Sequence, residues 1–115
     1  MSLDLLIFEP VSEEERKVFY PICSEGAFRN FIKPISFKHD LHMIAGWHPF
    51  VHVDKTNIDE FLRQMEILMQ LIEDAGEYGD ITIDTRIYFD MRLYGMVDLI
   101  KQLLQSRPDL IVSIG

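Results

Sequence analysis

The sequence predicts an α+β or α/β domain of two layers, in which a mixed sheet of four or five strands carries three or four helices mainly on one face. Two observations support this fold class. Several short segments have the apolar runs or the period-two alternation of strands, and others repeat apolar residues at helical spacing. The 115 residues, 48% of them hydrophobic, fit a single domain over 1–115 that can bury a core without cross-links.

The first third of the chain predicts one strand and two short helices. Residues 3–8 form an apolar run of strand length. A capping-box pattern of Ser12 and Glu15 then predicts a helix that ends before Pro21. Residues 24–34 repeat aromatic and aliphatic side chains at helical spacing, which predicts a second short helix.

The middle of the chain predicts an antiparallel hairpin at the centre of the sheet. Residues 35–45 alternate apolar and polar side chains, and 50–54 do the same over a shorter length. Gly46 lies in the short connection between them, as in a hairpin loop.

The remaining elements predict a C-terminal βαβ unit. An amphipathic helix over 56–76 precedes an alternating strand over 80–90, a helix over 91–107 and a final strand over 109–115. A crossover between parallel strands is right-handed, so we expect that hand here. Because the helices are few, we expect one face of the sheet to stay at least partly exposed.

The segment 38–54 holds all four histidines and the only tryptophan. With a loop at 46–48, His42 faces His52 on the polar side of the hairpin, at a cross-strand distance that suits two ligands of one zinc ion. A metal-binding or metal-dependent hydrolase site is therefore the alternative hypothesis. We favour surface histidines and predict no metal, because the spacing fits no established zinc motif. His39 shares the apolar side, so we expect it to be the more buried.

No other pattern indicates catalysis or a cofactor. The lone Cys23 has no nucleophile signature around it, and the glycines lack a phosphate-binding arrangement, so we predict no cofactor. Asp84, Arg86 and Tyr88 share the polar side of the predicted strand 80–90. They could form an active site or a solvated sheet face, and we favour the second.

The charge of the chain limits its partners. A formal net charge of −8 disfavours nucleic acids and favours a basic protein partner. The start of the chain lacks the features of a secretory signal, and no apolar run reaches the length of a membrane span. We therefore expect a cytoplasmic protein with no membrane contact.

In size, acidity and absence of a catalytic pattern, the chain looks like the small immunity proteins that bacteria make against their own toxins. This resemblance of type implies a non-enzymatic inhibitor that blocks a basic partner through acidic and aromatic surface groups. The predicted binding residues are Asp40, His42, Trp47, His52, Asp54, Asp84, Arg86 and Tyr88. Ile67 and Leu71 interrupt the polar side of helix 56–76, and a homodimer could form through them.

Overall fold

The computed structural model describes residues 2–115, which form a four-stranded sheet with helices packed on one face. The strands are β1 (Ser2–Phe8), β2 (Tyr20–Ser24), β3 (Val51–Val53) and β4 (Ile111–Ile114). Their order in the sheet is β2-β1-β4-β3, and every neighbouring pair is antiparallel. The predicted α+β class is confirmed, whereas the predicted mixed sheet is wrong.

Two long helices and several short ones form the second layer. The short ones are α1 (Glu13–Arg16), α2 (Glu25–Ala27), a π-helical turn (Phe28–Ile32), α3 (Lys33–Lys38) and α4 (His42–Ala45). The long ones are α5 (Ile58–Glu77) and α6 (Ile83–Ser106). The helix predicted over 56–76 is thus confirmed with a shift of one or two residues at each end.

The core lies between the helices and one face of the sheet. Along β1 the side chains of Leu3, Leu5 and Ile7 point inward and are buried, and Val112 and Ile114 of β4 do the same. The alternate side chains of both strands point to the opposite face, which no element covers in residues 2–115. The expected open face of the sheet is therefore present.

Helices α2 and α3 run continuously through the π-helical turn. Pro34 has no N–H to donate to the carbonyl of residue 30, and its ring would crowd that carbonyl in an ordinary α-turn. The turn widens instead, and the N–H of Lys33 donates to the carbonyl oxygen of Phe28, five residues back. The helix predicted over 24–34 therefore exists, but it continues past the proline to Lys38.

Residues 35–45 form the end of α3, a turn over 39–41 and α4 rather than a strand. Asp40 adopts a left-handed backbone conformation (φ 57°) after the end of α3. The N–H of Leu41 donates to the carbonyl oxygen of Ser36 (2.8 Å), as in a Schellman turn. The N–H of Asp40 donates to the carbonyl oxygen of Phe37 (3.4 Å). The predicted hairpin is therefore wrong, and β3 pairs with β4 instead.

The predicted strand over 80–90 is also wrong. Thr82 caps α6 by accepting the N–H of Thr85 (3.1 Å), and the helix then continues for 24 residues. Without this strand there is no βαβ unit, and no strand within residues 2–115 has a parallel neighbour. The final strand is confirmed as β4, which lies between β1 and β3.

Helices α5 and α6 form an antiparallel helical hairpin, with a five-residue connection over 78–82. The side chain of Arg86 packs on Gly76, where an added Cβ would lie 2.5 Å from the Arg86 Cδ. Glycine therefore allows the two helices to approach closely near the tip of this hairpin. The molecule is elongated, with extents of 44 × 25 × 23 Å.

Candidate interaction surfaces

The predicted polar surface around the histidines does not form. His42 lies in the first turn of α4, and His52 lies on β3, so the two are not cross-strand neighbours. His39 ends α3 and is exposed, as is His42, whereas His52 is partly covered. The predicted order of burial is therefore wrong. No group of three potential metal ligands comes together within residues 2–115.

Trp47 belongs to the core and offers no contact surface, which corrects its prediction as a binding residue. Its side chain is fully buried, and its ring stacks on that of Phe28 at an interplanar angle of 24°, with centroids 6.1 Å apart. Met43, Ile44 and Trp47 have the spacing of one helix face, a signal of burial that the hairpin interpretation missed.

His42 contributes to a network that holds α4 against α5. The buried Gln64 accepts the N–H of Met43 (2.9 Å), which satisfies a free donor at the start of α4. The Gln64 amide nitrogen lies 2.9 Å from a Glu60 carboxylate oxygen and 3.4 Å from the His42 Nδ1. Hydrogen bonds from Arg63 and then Gln64 lower the pKa of Glu60 to about 2. These contacts are structural, and the sequence did not indicate Gln64.

Asp54 stabilises the loop between β3 and α5 through hydrogen bonds. Its carboxylate accepts hydrogen bonds from the hydroxyl (2.5 Å) and the N–H (2.9 Å) of Thr56, and these two bonds lower its pKa. Asn57 in turn accepts the N–H of Asp54 (2.9 Å) and donates to the carbonyl oxygen of His52 (3.0 Å). Asp40 is exposed and follows the end of α3, whereas Asp54 follows β3. The two aspartates therefore do not face each other as predicted.

Asp84, Arg86 and Tyr88 lie on α6 and so do not share one face, contrary to the strand prediction. Asp84 and Tyr88 are four residues apart and border the same side of the helix. Tyr88 stays partly exposed with the guanidinium of Arg92 over its ring, 5.6 Å from the centroid. Arg86 points toward α5 instead, where its Nη1 lies 3.9 Å from a Glu73 carboxylate oxygen.

Helix α6 presents an apolar row to solvent that sequence reasoning missed. We call it the outer stripe, and it consists of Ile83, Ile87, Met91 and Tyr94. Their spacing of four, four and three residues places them on one face, and they are between 47% and 71% exposed. The opposite face of α6 is buried in the core. Asp98 and Lys101 continue the exposed face, so the apolar part is confined to the first half of the helix.

Acidic side chains border the outer stripe. A groove of about 550 Å³ runs between α5 and α6 beside Tyr94, and Glu66 and Glu73 line it. Asp84 is exposed in the first turn of α6. Burial raises the pKa of Asp90, and the neighbouring Glu73 raises it further, whereas Arg86 lowers it.

The open face of the sheet is a second apolar surface. Leu6, Ser113 and His52 form a row across β1, β4 and β3. The His52 ring lies between two phenylalanine rings, 4.5 Å from Phe8 and 5.1 Å from Phe50 between centroids. A shallow groove of about 480 Å³ lies among these side chains. His52 is thus the one predicted binding residue that belongs to this surface.

Ile67 and Leu71, the residues of the predicted homodimer contact, are partly buried and pack against the core. The self-association expected through them stays a prediction.

Comparison of the chain with protein-family models, with curated proteins and with solved structures finds no significant match. None of the helices within residues 2–115 combines the length and the apolar character needed to cross a membrane.

Proposed function

We propose that the chain is a non-enzymatic protein-binding domain. It would bind a basic partner protein through the outer stripe, in the manner of an immunity-type inhibitor. One observation carries the proposal: the first half of α6 is apolar on both faces, although only its inner face serves the core. Scattered exposed apolar residues need no explanation, but a continuous row at helical spacing favours a binding surface.

The charges around the stripe support a basic partner. Glu66 and Glu73 line the groove on one side of the outer stripe, and Asp84 lies on the other side of the stripe, in the first turn of α6. A Lys or Arg side chain placed in the groove would lie beside the carboxylates of Glu66 and Glu73, which are both exposed. The apolar row would supply most of the affinity, while the carboxylates would speed association and select the sign of the partner's charge.

The partner contact expected here is an amphipathic segment laid along α6. Its apolar side chains would pack on Ile87 and Met91, and its basic side chains would reach the carboxylates of α5. Such a segment would cover a substrate-binding surface if the partner is an enzyme, which is the inhibitory action expected of an immunity-type protein.

The test is a co-purification from cells that encode the chain, with the tagged full-length protein as bait, followed by measurement of the affinity for the recovered partner. We expect the neutral double change Ile87→Gln with Met91→Gln to weaken binding at least about 30-fold, the scale of a lost hot spot. The change Glu66→Gln with Glu73→Gln should slow association and flatten its salt dependence.

The matched control is Lys101→Gln, on the same face of α6 but beyond the outer stripe. It should leave the affinity within about twofold of the wild type, since single polar surface contacts contribute little. A partner that binds the Ile87→Gln, Met91→Gln variant as tightly as the wild type would contradict the proposal. Circular dichroism establishes that each variant is folded.

A further inference from the structure

We propose that His42 is a proton-sensitive contact between α4 and α5, which holds while its ring is neutral and breaks when the ring gains a second proton. The inference starts from Gln64 of α5, whose side chain is fully buried. The Gln64 side-chain oxygen accepts the N–H of Met43 (2.9 Å), so the amide group is held in one orientation. Its nitrogen then faces the two other partners, Glu60 and His42.

This orientation fixes the position of the proton on the neutral His42 ring. An amide nitrogen donates hydrogen bonds and does not accept them, and the Gln64 nitrogen lies 3.4 Å from the His42 Nδ1. Nδ1 is therefore the acceptor, and the single proton of the neutral ring lies on Nε2. A buried amide thus selects one tautomer of an exposed histidine.

A second proton removes this contact. It enters at Nδ1, and both nitrogens of the charged ring are then donors, so two donors would meet at this point. Gln64 cannot turn its amide over, because that would take the acceptor away from the N–H of Met43. An unpaired buried donor costs more than a neutral hydrogen bond contributes. The exposed ring of His42 is therefore the group that moves.

The charges around His42 favour this movement. Glu60 on α5 attracts the charged ring, and its carboxylate also accepts hydrogen bonds from Arg63. With a pKa of about 2, Glu60 stays ionised throughout the range in which imidazoles ordinarily gain a proton, around pH 6.5. Asp40 lines the same groove as His42, of about 400 Å³, and adds a second carboxylate. The charged ring can turn toward either carboxylate once it leaves Gln64.

The loss of this contact should loosen α4. The helix has only four residues, so contacts with its neighbours stabilise it more than its own propensity does. The N–H groups of Ile44 and Ala45 both donate to the carbonyl oxygen of Leu41, at 3.0 and 2.9 Å. Hydrogen exchange of these two N–H groups reports how often the turn opens. We expect their protection, corrected for the intrinsic exchange rate, to fall about threefold or more between about pH 7.5 and about pH 5.5, the scale of one lost hydrogen bond.

NMR spectroscopy of the full chain tests both parts of the proposal. At the higher pH, the nitrogen shifts of the His42 ring should show an unprotonated Nδ1 and a protonated Nε2. The exposed His39 and His48 provide the reference, because no buried amide selects their tautomer in residues 2–115. At both pH values, the exchange of the Leu68 N–H in the middle of α5 separates local opening from unfolding of the whole molecule.

The decisive variant is His42→Asn. Its side-chain oxygen can accept from the Gln64 amide at any pH, so the protection of Ile44 and Ala45 should no longer depend on pH. The matched control is His39→Asn, the same change at another exposed histidine, and it should keep the response of the wild type.

Three results would overturn the proposal. One is a wild-type α4 with equal protection at both pH values, or with a fall matched by that of Leu68. Another is a pH response that survives His42→Asn. The third is a neutral His42 ring with its proton on Nδ1. None of these results bears on the partner binding proposed for the outer stripe.

Discussion

At the scale of single residues, Gly95 shows how one distant side chain can dictate a residue in the middle of a helix. Tyr20 of β2 donates a hydrogen bond to the carbonyl oxygen of Arg92 on α6 (2.7 Å). Its hydroxyl then lies where a Cβ at position 95 would be, and its Cζ would be 3.3 Å from that Cβ. The sequence shows the glycine, but not the tyrosine that requires it, because the two are 75 residues apart.

This contact reverses the usual effect of replacing glycine in a helix. Alanine normally stabilises a helix interior by about 1 kcal/mol relative to glycine. Here we expect Gly95→Ala to destabilise the protein by about 1–2 kcal/mol, because the added methyl group displaces the Tyr20 hydroxyl. In a Tyr20→Phe background the same change should be neutral or stabilising. Urea unfolding of the four proteins measures the coupling, and equal effects of Gly95→Ala in both backgrounds would contradict this account.

At the scale of secondary-structure elements, the same property of α6 explains both a wrong prediction and the outer stripe. Ile81, Ile83, Ile87 and Phe89 alternate with polar residues, which is typical of a half-buried strand. In the helix, Ile83 and Ile87 lie on the exposed side and Phe89 on the buried side. A helix that is apolar on two faces loses its 3.6-residue period, so the pattern alone could not identify it. By contrast, α5 has one apolar face, and its prediction was correct.

The other wrong prediction is the strand over 35–45, and the residue that the prediction misjudged is Asp40. A left-handed residue ends α3, but aspartate at this position is a much weaker signal in the sequence than glycine. Since an L-residue is strained at a φ of 57°, we expect Asp40→Gly to stabilise the protein by about 0.5–1 kcal/mol.

The control for this change is Lys38→Gly, two residues earlier in the last turn of α3. There the backbone is right-handed, so glycine should cost about 1 kcal/mol. Thermal or urea unfolding compares the two variants. If both glycines destabilise the protein equally, Asp40 does not form the left-handed end of α3.

At the scale of the whole molecule, the fold depends on contacts between the two ends of the chain. β1 pairs with β4, so the first and last strands lie at the centre of the sheet. The sequence indicated both strands but not their pairing, because alternation along a strand carries no information about its neighbours. The class of fold and the open sheet face were therefore predictable, whereas the strand order and both apolar surfaces depended on long-range contacts.

An ion pair also joins the two ends of the chain. Arg107, just after α6, donates two hydrogen bonds to the carboxylate of Glu15 in α1, at 2.8 and 2.7 Å. Both side chains are at most 24% exposed. The hydrogen bond from Arg107 is the main cause of the lowered pKa of Glu15.

The lowered pKa makes part of the stability depend on pH. Because Glu15 binds its proton less tightly in the folded chain than in the unfolded chain, its contribution is fully present above the unfolded pKa of about 4.3. It is lost as the pH falls through the lower, folded value. We therefore expect Glu15→Gln to lower the urea midpoint at pH 7, and the difference from the wild type to shrink as the pH approaches 3. Glu14→Gln, at an exposed neighbour without an ion pair in residues 2–115, should change the midpoint little at either pH. A Glu15→Gln deficit that stays constant from pH 7 to pH 3 would show that Glu15 acts through packing, and that its bond to Arg107 contributes no charge-dependent stability.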